Sequence, residues 1–230
     1  MIPSATKPPA LGLIRNRELL LLVTLLLYIG LTPFLKNFVG LQLINNVAFM
    51  AILLTAILAV SQTRRQTVAA ILLALPMAIL IWLAHWMAHP LVGVLSLLCS
   101  LLFLGFTLVV IFRFIFRQNR VGQEVICAAV SVYLLMGLFW AIIYALSEII
   151  HPGSFSQPAV SGTATPYGFV YFSFTTLTTL GYGDILPLTE SLRSLAILEA
   201  ILGQLYLTVI IARLVGMQIS QTNGRASDEV

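Results

Sequence analysis

Thr175-Thr176-Leu177-Thr178-Thr179-Leu180-Gly181-Tyr182-Gly183-Asp184 decides the reading of this chain. Two glycines stand on alternate positions, and glycine accepts the backbone dihedrals that let successive carbonyls point the same way. The segment before it, Tyr167 to Thr178, is apolar with embedded Thr and Ser. Thr165-Pro166 opens that segment as a helix start, with Thr as the cap and Pro at the first helical position. A helix over 166–178 has about three turns and a length of roughly 18 Å. A loop rich in Pro, Gly, Ser and Thr over 150–165 precedes it, and Pro187 and a polar turn come after it.

Working outward, the chain has 230 residues, of which 60% are hydrophobic and 9% charged. An ordinary soluble domain carries roughly 25% charged residues. The charged fraction here cannot cover a water-facing surface, which predicts an integral membrane protein. Long apolar runs fall at 19–35, 43–61, 67–87, 91–112, 124–148 and 191–215. Each reaches or approaches the ~20 residues that cross the hydrocarbon core as a helix. The first run is longer than a secretory apolar region and no small-residue cleavage site follows it, so it reads as a retained helix. Pro76 should kink the third helix without ending it.

The fold class is therefore an all-α membrane protein with six spans. The short segment between the fifth and sixth reads as re-entrant, because 167–180 is too short to cross. Six spans put both termini on one side. Lys7, Arg15, Arg17, Arg64, Arg65 and the Arg residues at 113, 117, 120, 213 and 225 fall on that side, against Lys36 and Arg193 on the other. Short loops rich in Lys and Arg stay cytoplasmic, so both termini are expected inside. Topology thus accounts for the net charge of +4, and nucleic acid is not an expected partner. The expected organisation is a tail over 1–17, a four-helix transmembrane domain over 18–117, a pore domain over 118–217 and a tail over 218–230. The last tail is too small for a folded regulatory domain.

A short helix that enters from the outer face and stops at mid-membrane aims its partially negative C-terminal end at the bilayer centre. A row of carbonyls after it can replace the water around a dehydrated cation. Non-helical backbone at membrane depth is tolerated where it is buried or lines an aqueous path. One chain supplies one row, so encircling an ion calls for a symmetric oligomer.

Tyr171-Phe172-Ser173-Phe174-Thr175-Thr176-Leu177-Thr178-Thr179-Leu180-Gly181-Tyr182-Gly183-Asp184 resembles the pore helix and selectivity filter of tetrameric potassium channels. The resemblance covers roughly 124–217, as outer helix, pore loop and inner helix. It implies a homotetramer in the plasma membrane that conducts K⁺ passively, with no enzymatic activity and no cofactor beyond the permeant ion. It implies that the carbonyls of Thr179, Leu180, Gly181 and Tyr182 line the K⁺ sites, with the Thr179 hydroxyl closing the innermost one. Gly183 belongs to the filter's support, and Asp184 is expected to bond to the pore helix from behind the outer mouth. Tyr171 and Phe172 take the aromatic cuff positions where Trp is common. Leu180 replaces the usual Val, which changes packing behind the filter but leaves the carbonyl. Thr175 stands where some members place a Glu that pairs with the filter Asp. Alternatives are a nonselective cation channel, or a transporter or scaffold without conduction. A transporter usually shows paired interrupted helices in two halves, and only one re-entrant segment is legible here.

Two residues of the last run stand out. Glu199 lies two turns into it, where a carboxylate costs about 2.5–3.5 kcal/mol unless protonated or paired. It is expected to hydrogen-bond to pore-helix threonines or backbone, or else to face the cavity and attract cations. Gly203 resembles the glycine hinge of the family's inner helix, and equally suits close helix packing.

The fourth run, 91–112, contains no Lys or Arg. Voltage-gated relatives carry a basic residue at every third position of that helix, so a functioning voltage sensor is not expected. His85 and His89 have a spacing that suits a metal, but no third ligand accompanies them. His151 beside the pore loop is a candidate sensor of external pH. Cys99 and Cys127 sit in apolar runs and suggest neither a disulfide nor a metal site. The gating stimulus is not legible.

Overall fold

The computed structural model describes residues 17–31, 34, 41–61, 63–86, 89–156 and 166–228. Among them are seven helices. In chain order these are α1 (Arg17–Leu31), α2 (Leu41–Val60), α3 (Arg64–Trp86), α4 (Pro90–Arg117), α5 (Gln123–Ile150), α6 (Pro166–Leu177) and α7 (Glu190–Asp228). The composition explains the uniform choice. Leu, Ala and Ile dominate these segments, and a helix satisfies every backbone group within one apolar stretch.

Among the described residues, four helices are long and apolar enough to cross a membrane: Arg64–Ala84, Pro90–Arg117, Gln123–Ile150 and Glu190–Gln221. α1 is shorter, at 15 residues, and the apolar stretch Asn46–Val60 of α2 is shorter too. α3 continues through Pro76 without a break. α4 runs past the apolar run to include Arg113 and Arg117. α7 runs on past Met217, where the sequence suggests a tail, because nothing in that stretch stops a helix already nucleated.

α1 and α4 both pack on α5 of their own chain, while α6 is held between α5 and α7. Polar side chains fasten the first helices. The Thr24 and Thr55 hydroxyls meet at 2.9 Å between α1 and α2, and Arg17 donates to the Ser61 carbonyl at 3.0 Å. Glu18 is buried beside Arg17, 3.8 Å from its Nε. Cys99 and Cys127 are free thiols.

Burial along α7 selects the residues that meet α5 and α6. Leu192, Glu199, Gly203, Tyr206 and Ile210 are buried, at steps of three, four and seven residues. That is one stripe of a helix turned toward the other two. Ile197, Leu198, Ile201, Leu202, Leu205 and Val209 on its other faces are exposed in the single chain.

Candidate functional site: the α6 hairpin and the Thr179–Asp184 turn

α6 has 12 residues, beginning at Pro166 and ending at Leu177. The expected cap Thr165 lies outside the described residues, as do the loop over 157–165, the tail through Asn16, Lys36 and the side chains of His85 and Arg225. Three contacts fix the helix to its neighbours. The buried Ser173 hydroxyl lies 2.7 Å from the Gly137 carbonyl of α5 and 2.5 Å from Glu199 Oε1 of α7. The Phe174 ring covers Gly137 so closely that a Cβ there would come within 2.5 Å of it. The Tyr133 hydroxyl donates to the Leu177 carbonyl at 3.3 Å, at the C-terminal end of α6.

Glu199 is fully buried. It meets Ser173 of α6 and also Tyr144 of α5, whose hydroxyl donates to Oε2 at 2.6 Å. The sequence pointed to threonines or backbone of the pore helix, or else to the cavity, whereas the partners are the side chains of Ser173 on α6 and Tyr144 on α5. Ser173 and Tyr144 carried no signal of their own in the sequence. Their role becomes visible only when three helices meet.

Gly203 sits against Leu177. A Cβ on it would lie 2.7 Å from the Leu177 carbonyl oxygen and 2.8 Å from its Cδ1. The absent side chain is what lets α7 approach the end of α6, which gives the close-packing reading of this glycine a definite contact.

Beyond Leu177 the chain leaves helical geometry in a regular way. Thr179, Gly181 and Gly183 have φ of 59°, 52° and 75°, while Leu180 and Tyr182 between them have negative φ. A β-branched residue in the left-handed region is strained, so Thr179 needs support. Its N–H donates to the Thr176 carbonyl at 3.0 Å, and the Gly181 N–H donates to the Thr175 carbonyl at 3.1 Å. Positive and negative φ thus alternate over five residues, from Thr179 to Gly183. No neighbouring atom lies within 4 Å of a Cβ built at Gly181 or Gly183. The dihedral, not the space, demands glycine there.

The aromatic positions separate into two roles. Phe172 is buried against Tyr144 and Phe155, with ring centroids 4.9 and 5.2 Å away. Tyr171 turns the other way and donates its hydroxyl to Asp184 Oδ2 at 2.7 Å, while Oδ1 accepts from the Ile185 N–H at 3.0 Å. Thr175 is buried and its hydroxyl donates back to the Phe172 carbonyl. The tie between the aspartate and α6 thus comes from Tyr171, one turn earlier than Thr175.

The outer loops lock together beside this turn. Phe155 and Pro187 form an antiparallel bridge, with Ser156 N–H donating to Leu186 O and Leu188 N–H to Ser154 O. Glu148 accepts the N–H groups of Gly153 and Ser154 at 2.8 and 3.0 Å, a cap that nothing in the local sequence announces. His151 ends α5, and its carbonyl accepts from Ser154. His89 caps α4 by accepting the Leu91 N–H. Among the described residues, no three His, Cys, Asp or Glu side chains gather as a metal site.

Residues 128–219, about two fifths of the chain, match a family model described as "Ion channel". No curated protein matches the chain. The matched residues run from the first turns of α5 through α6 and the Thr179–Asp184 turn into α7. The part of the chain that builds this site is therefore similar to ion channels of the pore-loop kind, and the match supports an ion channel in a membrane.

Proposed function

We propose that the chain is one subunit of a homotetrameric channel that conducts K⁺ passively and selectively across the plasma membrane. The observation that carries this reading is the alternation of positive φ at Thr179, Gly181 and Gly183 directly after α6. Such a segment offers the carbonyls of Thr179, Leu180, Gly181 and Tyr182, with the Thr179 hydroxyl below them, as replacements for the water of a dehydrated K⁺. The C-terminal end of α6 adds a partial negative charge behind them.

At 12 residues, α6 reaches only about 18 Å, short of the ~30 Å hydrocarbon core. It is read as re-entrant, entering and leaving on the outer side. α1 and α2 complete six spans. The excess of Lys and Arg at one set of ends puts both termini in the cytoplasm.

Copies of the chain are required because one copy leaves its carbonyl row uncovered. Leu180 is 55% and Tyr182 68% exposed in the single chain. Packing against neighbouring subunits would bury both.

Flux from liposomes holding the purified oligomer tests this. K⁺ efflux should exceed Na⁺ efflux and be blocked by Ba²⁺. Gly181→Ala should abolish selective flux while the protein still inserts, because a Cβ at that φ is strained. Equal Na⁺ and K⁺ flux would make the pore nonselective. Absence of flux from a verified tetramer would leave a non-conducting scaffold.

A further inference from the structure

Glu199, Ser173, Tyr144 and the Gly137 carbonyl form three oxygen–oxygen contacts of 2.5–2.7 Å. Each needs a proton between its two oxygens. The Gly137 carbonyl is an acceptor only, and each hydroxyl owns one proton. Tyr144 spends its proton on Glu199 Oε2. Ser173 has one proton for two neighbours, the Gly137 carbonyl and Glu199 Oε1. Given to Gly137, it leaves nothing between Ser173 and an ionised Glu199. Given to Glu199, it leaves two lone-pair oxygens facing each other 2.7 Å apart. One more proton, on Oε1, resolves the set. Glu199 then donates to Ser173, Ser173 to Gly137, and Tyr144 to Glu199.

The charges nearby agree with that count. α6 contains no charged residue. From α5 the titratable groups facing Glu199 are Tyr144 and, farther off, Tyr133. On α7 itself, Arg193 is turned to the Pro187 carbonyl. Among the described residues the only ion pair is Arg17 with Glu18. An ionised Glu199 would be a buried charge without a cation, the costliest arrangement a membrane interior offers.

We propose that Glu199 is held as a neutral carboxylic acid whose proton completes the relay Glu199–Ser173–Gly137, and that loss of this proton at alkaline pH breaks the relay, frees α6 from the Gly137 carbonyl of α5 and stops conduction. The second half rests on the reading of Thr179–Tyr182 as the conducting row. Glu199 acts on that row as a positioning residue, through Ser173 and the end of α6. Deprotonation turns the Ser173 proton to the carboxylate, leaves the Gly137 carbonyl without its donor, and places a charge where no cation meets it.

Infrared spectroscopy of the full chain in liposomes tests the proton directly. At neutral pH the wild type should show a carboxylic-acid C=O band that is absent from Glu199→Gln and disappears on alkaline titration. In Ser173→Ala the band should persist but move to higher frequency, because its acceptor is gone. This second variant keeps the test decisive if Glu199→Gln does not assemble. Gln offers an N–H donor to Ser173 and a carbonyl acceptor to Tyr144, with one N–H more than the acid, so the flux of Glu199→Gln is compared with its own value at neutral pH. Wild-type flux should fall by up to about tenfold per pH unit beyond the transition, as for loss of one proton, and Glu199→Gln should not decline with it. Identical bands in wild type and Glu199→Gln would overturn the protonated state, and an unshifted band in Ser173→Ala would overturn the relay from Glu199 to Ser173. An identical alkaline decline in Glu199→Gln would overturn its link to conduction. If no variant conducts and the band difference is present, the proton assignment stands and the channel reading fails.

Discussion

Arg213, on the inner half of α7, donates from Nη2 to the Phe116 carbonyl oxygen at 2.8 Å, in the last turn of α4. The same nitrogen reaches the Gln118 carbonyl at 3.2 Å, and the guanidinium lies 4.7 Å above the Phe116 ring. A cation at the negative end of a helix is favourable, and a planar fork can serve two carbonyls and a ring together, where an ammonium cannot. This joins α7 to the end of α4 of the same chain. Arg213→Ala should lower stability by about 1–2 kcal/mol, read as a lower thermal midpoint in detergent, and Arg213→Lys should recover less than half of the loss. An unchanged midpoint in Arg213→Ala would show the contact to be incidental.

Gly203 and Gly216 lie on one helix and make opposite predictions. A Cβ at Gly203 meets the Leu177 carbonyl, whereas one at Gly216 meets nothing within 4 Å. Gly203→Ala should destabilise by about 1–3 kcal/mol through overpacking and reduce K⁺ flux, since the displaced atom ends α6 two residues before Thr179. Gly216→Ala should be neutral or stabilise by up to about 1 kcal/mol, from helix propensity alone. Equal effects in thermal unfolding would mean that helix flexibility, not contact, matters at Gly203.

Tyr171→Phe removes the hydroxyl that reaches Asp184 and little else. The ion row itself is untouched, so selectivity for K⁺ over Na⁺ should persist. The outer end of the turn loses a support, and currents should decline several-fold faster during sustained conduction. Recordings at constant voltage measure this. A decline rate equal to that of the wild type would assign Asp184's restraint to the Ile185 N–H.

α4 carries its basic residues, Arg113 and Arg117, only in its final turns, after a stretch without Lys or Arg from Leu91 to Phe112. Moving one elementary charge through the field is worth about 2.3 kcal/mol per 100 mV. Without such charges at membrane depth, opening should change little with voltage, and the gating charge in patch-clamp recordings should be near zero. Several charges moved per channel would require a different moving element.

Where the sequence was legible, one residue type left no alternative. Gly181 and Gly183 announced the turn because few residues accept its dihedrals, and apolar length announced α3, α4, α5 and α7. Thr179 gave no such signal, since a β-branched residue is a poor guess for a left-handed φ. It takes that conformation because the end of α6 holds it through the Thr176 carbonyl. Glu199 was conspicuous as a carboxylate in an apolar helix, but its partners were not. Ser173 and Tyr144 lie 26 and 55 residues away, and nothing local distinguishes them from other residues of their helices.

The bridge between Phe155 and Pro187 closes a loop that contains all of α6 and the glycine turn. Both ends of that loop are stapled by main-chain hydrogen bonds, from Ser156 to Leu186 and from Leu188 to Ser154. A pull along the chain between the outer ends of α5 and α7 is therefore carried by the staple, in parallel with the loop. The strained peptides from Thr179 to Gly183 are shunted out of the mechanical path, so the two long helices can shift relative to each other without stretching the most delicate stretch of backbone in the molecule.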